Sequence, residues 1–180
     1  MVGRVVSLSL SRVRGFSKER TESIRCFAGR GVEGDAHCGA TVKHRSRVAV
    51  DPRQPNLRQV HLLHVELLQE LGEKGFSIAP GALGENICTA GLALLAFPCG
   101  TLLRFDGGVV LRLTGLRNPC SQIESFRSGL LREVVGKDSS GRIVRKAGVM
   151  AVVEEGGVVE VGCRVSPELP ELPHFPLERV

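Results

Sequence analysis

The chain has 180 residues, 42% hydrophobic and 24% charged, which suits one ordinary domain with a normal core and excludes global disorder. The formal charge is +5, and Arg far outnumbers Lys, a bias that suits anionic ligands because the guanidinium fork binds phosphate or carboxylate at two points. The basic residues are scattered and Trp and Tyr are absent, so neither a nucleic-acid footprint nor an aromatic base-stacking platform is expected.

In chain order, Gly3–Leu10 alternates as a first strand, with Val5, Ser7 and Ser9 on one face and Val6, Leu8 and Leu10 on the other. Residues 11–30 are polar and irregular, 29–39 form a Gly-rich loop, and 41–56 form a long basic loop holding Pro52 and Pro55. A strand is expected at 57–63 and a helix at 65–74, striped by Leu67, Leu68 and Leu71 and stopped by Gly75. Residues 79–89 form a loop that turns into a short strand at about 86–89.

Strands at 101–105 and 109–114 flank Asp106-Gly107-Gly108, a hairpin signal. Residues 121–135 have helical spacing through Ile123, Phe126, Leu130, Leu131 and Val134. Two last strands, 143–153 and 158–165, enclose a Glu154-Glu155-Gly156-Gly157 turn, and 166–180 is a Pro-rich tail, either packed on the surface or disordered. Strands outnumber helices and βαβ alternation is absent, which predicts a mainly β fold: an antiparallel or mixed barrel with helical insertions. No apolar run of about 18 residues is present to span a membrane and no secretory pattern opens the chain. Six cysteines without paired short spacing then read as reduced thiols in a cytoplasm.

Arg117-Asn118-Pro119-Cys120 is the most informative segment. It follows a strand and precedes a helix, where unpaired N–H groups and positive charge favour a thiolate at Cys120; the alternative is a small buried Cys at a helix start. Gly84-Glu85-Asn86 offers hydrogen-bonding groups or plain turn chemistry, and Gly34-Asp35-Ala36-His37 offers a proton-transfer pair or an anion-binding loop, the alternative being an Asx-type turn with an exposed His. His37, Cys38, His44, His61 and His64 fit no usual zinc spacing, and no segment fits a P-loop, a dinucleotide fingerprint or a Ser-His-Asp hydrolase.

Taken in order, GVEGDAHCG, RQVHLLHVELLQEL, PGALGENICTAGL, TGLRNPC and GVMAVVEEGGVVEVGCRV resemble the MOSC domain, the module named for the C-terminal part of molybdenum-cofactor sulfurases. The resemblance is to its small stand-alone branch and covers most of residues 2–165, the expected domain, with 166–180 as the tail. It implies a barrel related to that of pyruvate kinase. It also implies that Cys120 either binds the molybdenum of a pterin cofactor or carries sulfur as a persulfide. Asp35 and His37 match the family's GDxH loop, and Gly84, Glu85 and Asn86 its GEN loop. Arg58 and Glu66 match the flanks of its central strand and helix, and Arg117 and Asn118 the approach to the cysteine.

By this resemblance Cys120, Asp35, His37 and Asn86 are catalytic, and Arg58, Glu66, Gly84, Glu85, Arg117 and Asn118 bind cofactor. The implied activity is that of a molybdenum oxidoreductase on N-hydroxylated small compounds. The alternatives are a persulfide carrier or sulfurtransferase and a non-enzymatic pterin- or anion-binding carrier. Pyridoxal phosphate would belong to a partner cysteine desulfurase, and reducing electrons to a separate electron-transfer partner. Cys38, Cys88 and the 41–56 insertion depart from the family pattern.

Overall fold

Alternation in Gly3–Leu10 builds strand β1, but with a fault that redirects its side chains. Against its neighbour, Val5 pairs with Thr89 and Ser7 with Cys88, so Val6 is an extra, bulged residue. The expected face pattern is therefore corrected: Val5 and Leu8 both join the main core, while Val6 packs on a second cluster. The structure, a computed structural model, describes residues 2–43 and 48–180. His44 and part of the 41–56 insertion lie outside the described residues.

The strands that follow β1 are β2 (Glu19–Thr21), β3 (Ser23–Phe27), β4 (Gly31–Val32), β5 (Val60–His64), β6 (Ile87–Ala90), β7 (Leu102–Phe105) and β8 (Val110–Leu116). The last five are β9 (Val135–Lys137), β10 (Ile143–Arg145), β11 (Val149–Glu155), β12 (Gly157–Glu160) and β13 (Arg164–Glu168). Seven of them, in the order β13-β7-β8-β11-β5-β6-β1, close into a barrel through pairing of β1 with β13. All barrel pairs are antiparallel except β5 with β6, so the predicted mixed β-barrel is the observed one. Every wall strand sends residues inward: Val5 and Leu8, Val60 and Leu62, Ile87, Leu103 and Phe105, Leu111 and Leu113, Val149, Ala151 and Val153, and Val165. Closure leaves few sheet edges open, which suits a core built from branched aliphatics.

The outer face of β5 and β6 is covered by helix α1 (Val65–Glu73) and the short helices α2 (Ser121–Phe126) and α3 (Leu130–Val134). Leu67, Leu68 and Leu71 of α1 meet Leu63, Cys88, Ile123, Leu130 and Val134 in a second core. Glu70 accepts from Lys74 at 2.8 Å and Lys146 at 2.7 Å, tying α1 to the segment before β11.

Three further expectations need correction. The single helix expected over 121–135 is two helices, because Gly129 adopts φ +81° and Glu124 turns back to accept the Gly129 N–H at 2.7 Å. That carboxylate caps α3 and replaces the intrahelical bonds that a continuous helix would make. Next, β11 and β12 do not form a hairpin: β12 pairs with β3 in a separate three-stranded sheet, so residues 11–30 are not merely irregular. Finally, the 143–153 strand is two strands, β10 and β11, divided at Lys146–Gly148. Among the described residues no helix is long and apolar enough to cross a membrane.

Candidate functional site

On β5, Val60 and Leu62 point into the barrel, so His61 points out, by the two-residue period of a strand. Its main chain is stitched to the neighbouring loop: Asn86 N donates to His61 O at 2.8 Å, and His61 N donates to Asn86 Oδ1 at 3.2 Å. The Asn86 amide also donates to Ser9 O at 3.2 Å and to Asp35 Oδ2 at 3.0 Å. One buried side chain therefore joins β1, β5 and the loop that carries Asp35.

Asp35 is the hub of the site. Besides Asn86, its carboxylate accepts from Lys18 Nζ at 2.5 Å, His37 N at 2.9 Å and Ser11 N at 3.3 Å, and it pairs with His37 Nδ1 at 3.2 Å. Burial opposes its charge, but the His37 and Lys18 contacts outweigh that cost and hold its carboxyl far below the usual carboxylate range. Burial pulls the Lys18 ammonium below its ordinary value, with Asp35 as the opposing attraction. The loop is an Asx turn, with His37 N donating to Asp35 Oδ1, and also part of an ion-pair network with Lys18.

Above this hub is a cleft of about 100 Å³, lined among others by Lys18, His37, Arg58, His61, Asn86 and Arg117. Phe16, Gly84 and Gln122 also line it. Arg117 donates to Leu83 O at 2.7 Å and lies over the Phe16 ring, its guanidinium carbon 5.6 Å from the centroid. Burial lowers the Arg117 pKa, against the opposing influence of the neighbouring Cys120 and Glu85 side chains. His61 Nε2 donates to Ala147 O at 2.8 Å, and burial together with Arg117 drives its pKa well below the ordinary value, so it is neutral at pH 7.

The 79–86 loop folds against this cluster. Glu85 is fully buried and accepts from Gly81 N at 2.5 Å, while its other oxygen is buried with no hydrogen bond. Burial raises its pKa, against the stabilising Gly81 contact. Gly84 has φ +84°, and a Cβ there would collide with Phe16 O, so this position needs glycine both for its backbone and for close approach.

Cys120 is the N-cap residue of α2 and is half-exposed, its Sγ 3.6 Å from Gln122 Oε1. It stands beside the cleft through its neighbours Arg117 and Gln122 and is not itself one of the lining residues. Asn118 is half-exposed and also outside the lining. Glu66 is elsewhere: its carboxylate accepts from Gly91 N at 2.7 Å beside a separate, mostly apolar cavity of about 490 Å³ near His64 and Leu92–Ala96.

The structure thus brings together Asp35, His37, Arg58, Gly84, Asn86 and Arg117, sets Glu85 beneath them and Cys120 at the rim, and leaves Glu66 apart. Sequence reasoning missed Lys18 and gave His61 no role here. Lys18 lies in a polar stretch without periodicity, whereas the outward position of His61 was readable from the alternation of β5. Among the described residues no three His, Cys, Asp or Glu side chains converge to hold a metal ion. Cys88 and Cys26 are buried and their thiols are pushed up to about 12, which marks them as packing residues.

The MOSC domain profile matches residues 51–166, more than half of the chain. No curated protein matches the chain in sequence. Among solved structures, YuaD from Bacillus subtilis superposes with a TM-score of 0.79 at 24% identity, covering 95% of this chain and 98% of that one. YiiM from Geobacillus stearothermophilus superposes at 0.67 and 18% identity over 97% of this chain and 79% of that one. YiiM from Escherichia coli does so at 0.60 and 18% over 96% and 73%. At these identities the structures are alike in fold.

Proposed function

The chain belongs to the MOSC domain family, which is associated with molybdenum-cofactor binding or sulfur chemistry, and from that premise and the cleft we propose that it binds the anionic end of a molybdenum-bearing pterin cofactor, with Cys120 as the protein's ligand to the metal. The observation that carries this reading is the convergence of Lys18, Arg58 and Arg117 with His37 and Asn86 on one cleft beside an accessible thiol.

The donor set fits such a group in part by size and in part by charge. A cleft of about 100 Å³ suits a phosphate or a metal-oxo end rather than a whole pterin, whose remainder would lie outside it. Three cations suit an oxyanion, while Asn86 spends its amide on Ser9 O and Asp35 and so positions the site rather than binding the anion. For a metal that brings its own dithiolene sulfurs, Cys120 at the rim would supply one soft protein ligand. When bound, the cofactor would supply two-electron redox chemistry, and reduction of an N-hydroxylated small compound to its amine is the proposed reaction, with electrons from a separate partner. The chain's own part is to hold the anion with Lys18, Arg58 and Arg117. Asp35 keeps Lys18 and His37 in place, and His37, at the cleft surface, is the proton-transfer candidate.

The test is molybdenum content after reconstitution with the cofactor. The wild type should retain about one metal per chain, and Cys120→Ala should lose it while keeping the fold by circular dichroism. Equal metal in both proteins would overturn the ligand role of Cys120.

A second reading is favoured by one feature: among the described residues Cys120 Sγ makes a long contact to Gln122, and it is half-exposed, the condition a sulfur carrier needs. Incubation with a cysteine desulfurase and its pyridoxal phosphate should then add one sulfur to Cys120 by mass spectrometry. No mass gain would remove this alternative, and retained anion binding without turnover in either assay would leave the chain a pterin or anion carrier.

A further inference from the structure

The cavity beside Glu66 stands apart from the cleft. The chain leaves β6 at Gly91, whose N–H is already taken by the Glu66 carboxylate, and turns through a short 3₁₀ segment, Leu94–Ala96. Leu92 and Leu94 sink into the barrel, Leu95 is half-buried, and Ala93 and Ala96 are exposed, so an apolar hollow of about 490 Å³ remains open at the surface. The tail crosses the chain immediately after this hollow. Pro98 pairs with Pro176, Cys99 N donates to Phe175 O at 2.8 Å, and Pro170 packs beside Gly100, where a Cβ would lie 3.7 Å from it. His174 Nε2 donates to Pro170 O at 3.0 Å and closes the turn between those anchors. Pro170, Pro173 and Pro176 have no N–H to extend a sheet, so the tail lies against the barrel without becoming a wall strand. Its apolar side chains stay outside: Leu169 is 52% exposed, Leu172 81% and Phe175 65%.

We propose that this knob and this hollow pair two copies of the chain: Leu172 and Phe175 of each copy fill the hollow of the other, across a two-fold axis. Knob and hollow are neighbours on one stretch of surface, so a two-fold pairing makes both contacts at once and closes on itself. A hollow of this volume, within the range of pockets that hold drug-sized molecules, has room for a Leu and a Phe side chain. Leu169, Leu172 and Phe175 together expose roughly 400 Å² of mostly apolar surface, the level at which a patch on a monomer marks an interaction site. Two such knobs, with the hollow walls they cover, reach the roughly 1,000 Å² that a specific interface needs. The charges agree with this pairing. Glu171 is exposed at the knob, and Arg4, the cross-strand partner of Ala90, is exposed beside the Gly91 wall, so each copy offers an acid on the knob and a base by the hollow. The turn between Pro170 and Phe175 is anchored at both ends, so little ordering is left for association to supply.

Sedimentation equilibrium on the full chain reads the pairing. The wild type should move from 19.4 kDa toward twice that mass as its concentration rises through the micromolar range. A knob variant, Leu172→Asp with Phe175→Asp, and a hollow variant, Ala93→Arg, change exposed positions, so both should keep the fold by circular dichroism. Each should weaken association by roughly thirtyfold or more, because each destroys both junctions of its own dimer. Mixed together, the two variants should associate more tightly than either does alone, since the mixed pair keeps one intact knob facing one intact hollow. In a mixture of isotope-labelled and unlabelled wild type, filtered NMR should show contacts from the Leu172 methyls of one copy to Leu95 of the other. A wild type that stays monomeric, a dimer that either variant leaves intact, or a mixture no tighter than its components would each overturn the pairing. A monomer whose Leu95 methyls shift on addition of toluene would overturn it as well and assign the hollow to a small apolar ligand. None of these readouts involves the cleft, so the anion reading stands or falls separately.

Discussion

Asp35 keeps a full charge at a position almost closed to water, its side chain 1% exposed and that of Lys18 4%. A buried pair of this kind contributes little net stability, but losing one partner leaves an uncompensated charge. Lys18→Met should therefore cost about 3–5 kcal/mol in urea unfolding and raise the Asp35 titration midpoint, read from its carboxyl carbon by NMR. The sign of the pH dependence follows from the depressed pKa: the Asp35 contribution is complete above its unfolded value of about 4 and fades as pH falls from there toward its folded value. Cysteine positions give a second residue-scale prediction. In native protein, iodoacetamide should label Cys120 and Cys99 and leave Cys26 and Cys88 unmodified by mass spectrometry, because the latter two are buried and their thiols stay protonated.

At the scale of elements, the site is built where loops leave the barrel wall. The 79–86 loop is fastened from both sides: Lys18 N donates to Gly81 O at 2.9 Å, Ser17 Oγ to Ala82 O at 2.8 Å, and Arg117 to Leu83 O. Gly84→Ala forces a methyl into Phe16 O at a positive φ, and should lower stability by more than about 1 kcal/mol and loosen Arg117. A thermal melt with phosphate titration would separate the two effects. The break between α2 and α3 depends on Glu124, whose carboxylate also accepts from Leu131 N at 3.3 Å. Glu124→Ala should cost about 1 kcal/mol, the usual value of a lost cap, seen in chemical denaturation. The α1 helix was readable from its Leu stripe and Gly75 stop. This break was missed because apolar spacing continues through it, although Gly129, which takes φ +81°, stands in the sequence at the break.

For the whole molecule, closure of β1 on β13 creates one interior, and the Pro-rich end of the chain reaches into it through Leu177. Leu177→Ala should destabilise the protein by about 2–3 kcal/mol, as a cavity in a packed core does, and a denaturant midpoint measurement checks it. The candidate cleft is outside that barrel, between its β5–β6 wall, the α2 approach and loops from the first forty residues. Barrel and cleft share only wall strands, so β5 serves both with alternate residues: Leu62 inward and His61 outward.

By itself the sequence determined the mainly β barrel, the α1 helix, the β7–β8 hairpin and the loops that hold Asp35, His37, Gly84, Asn86 and Arg117. Periodicity and turn residues are local, and they survive without knowledge of neighbours. Only the tertiary structure decided that Val5 and Leu8 share a face and that Lys18 joins the site while Glu66 leaves it. Each of these depends on a register, a bulge or a crossing between residues far apart in the chain. Such contacts are selected by burial and hydrogen-bond satisfaction of the whole fold, which no local pattern records.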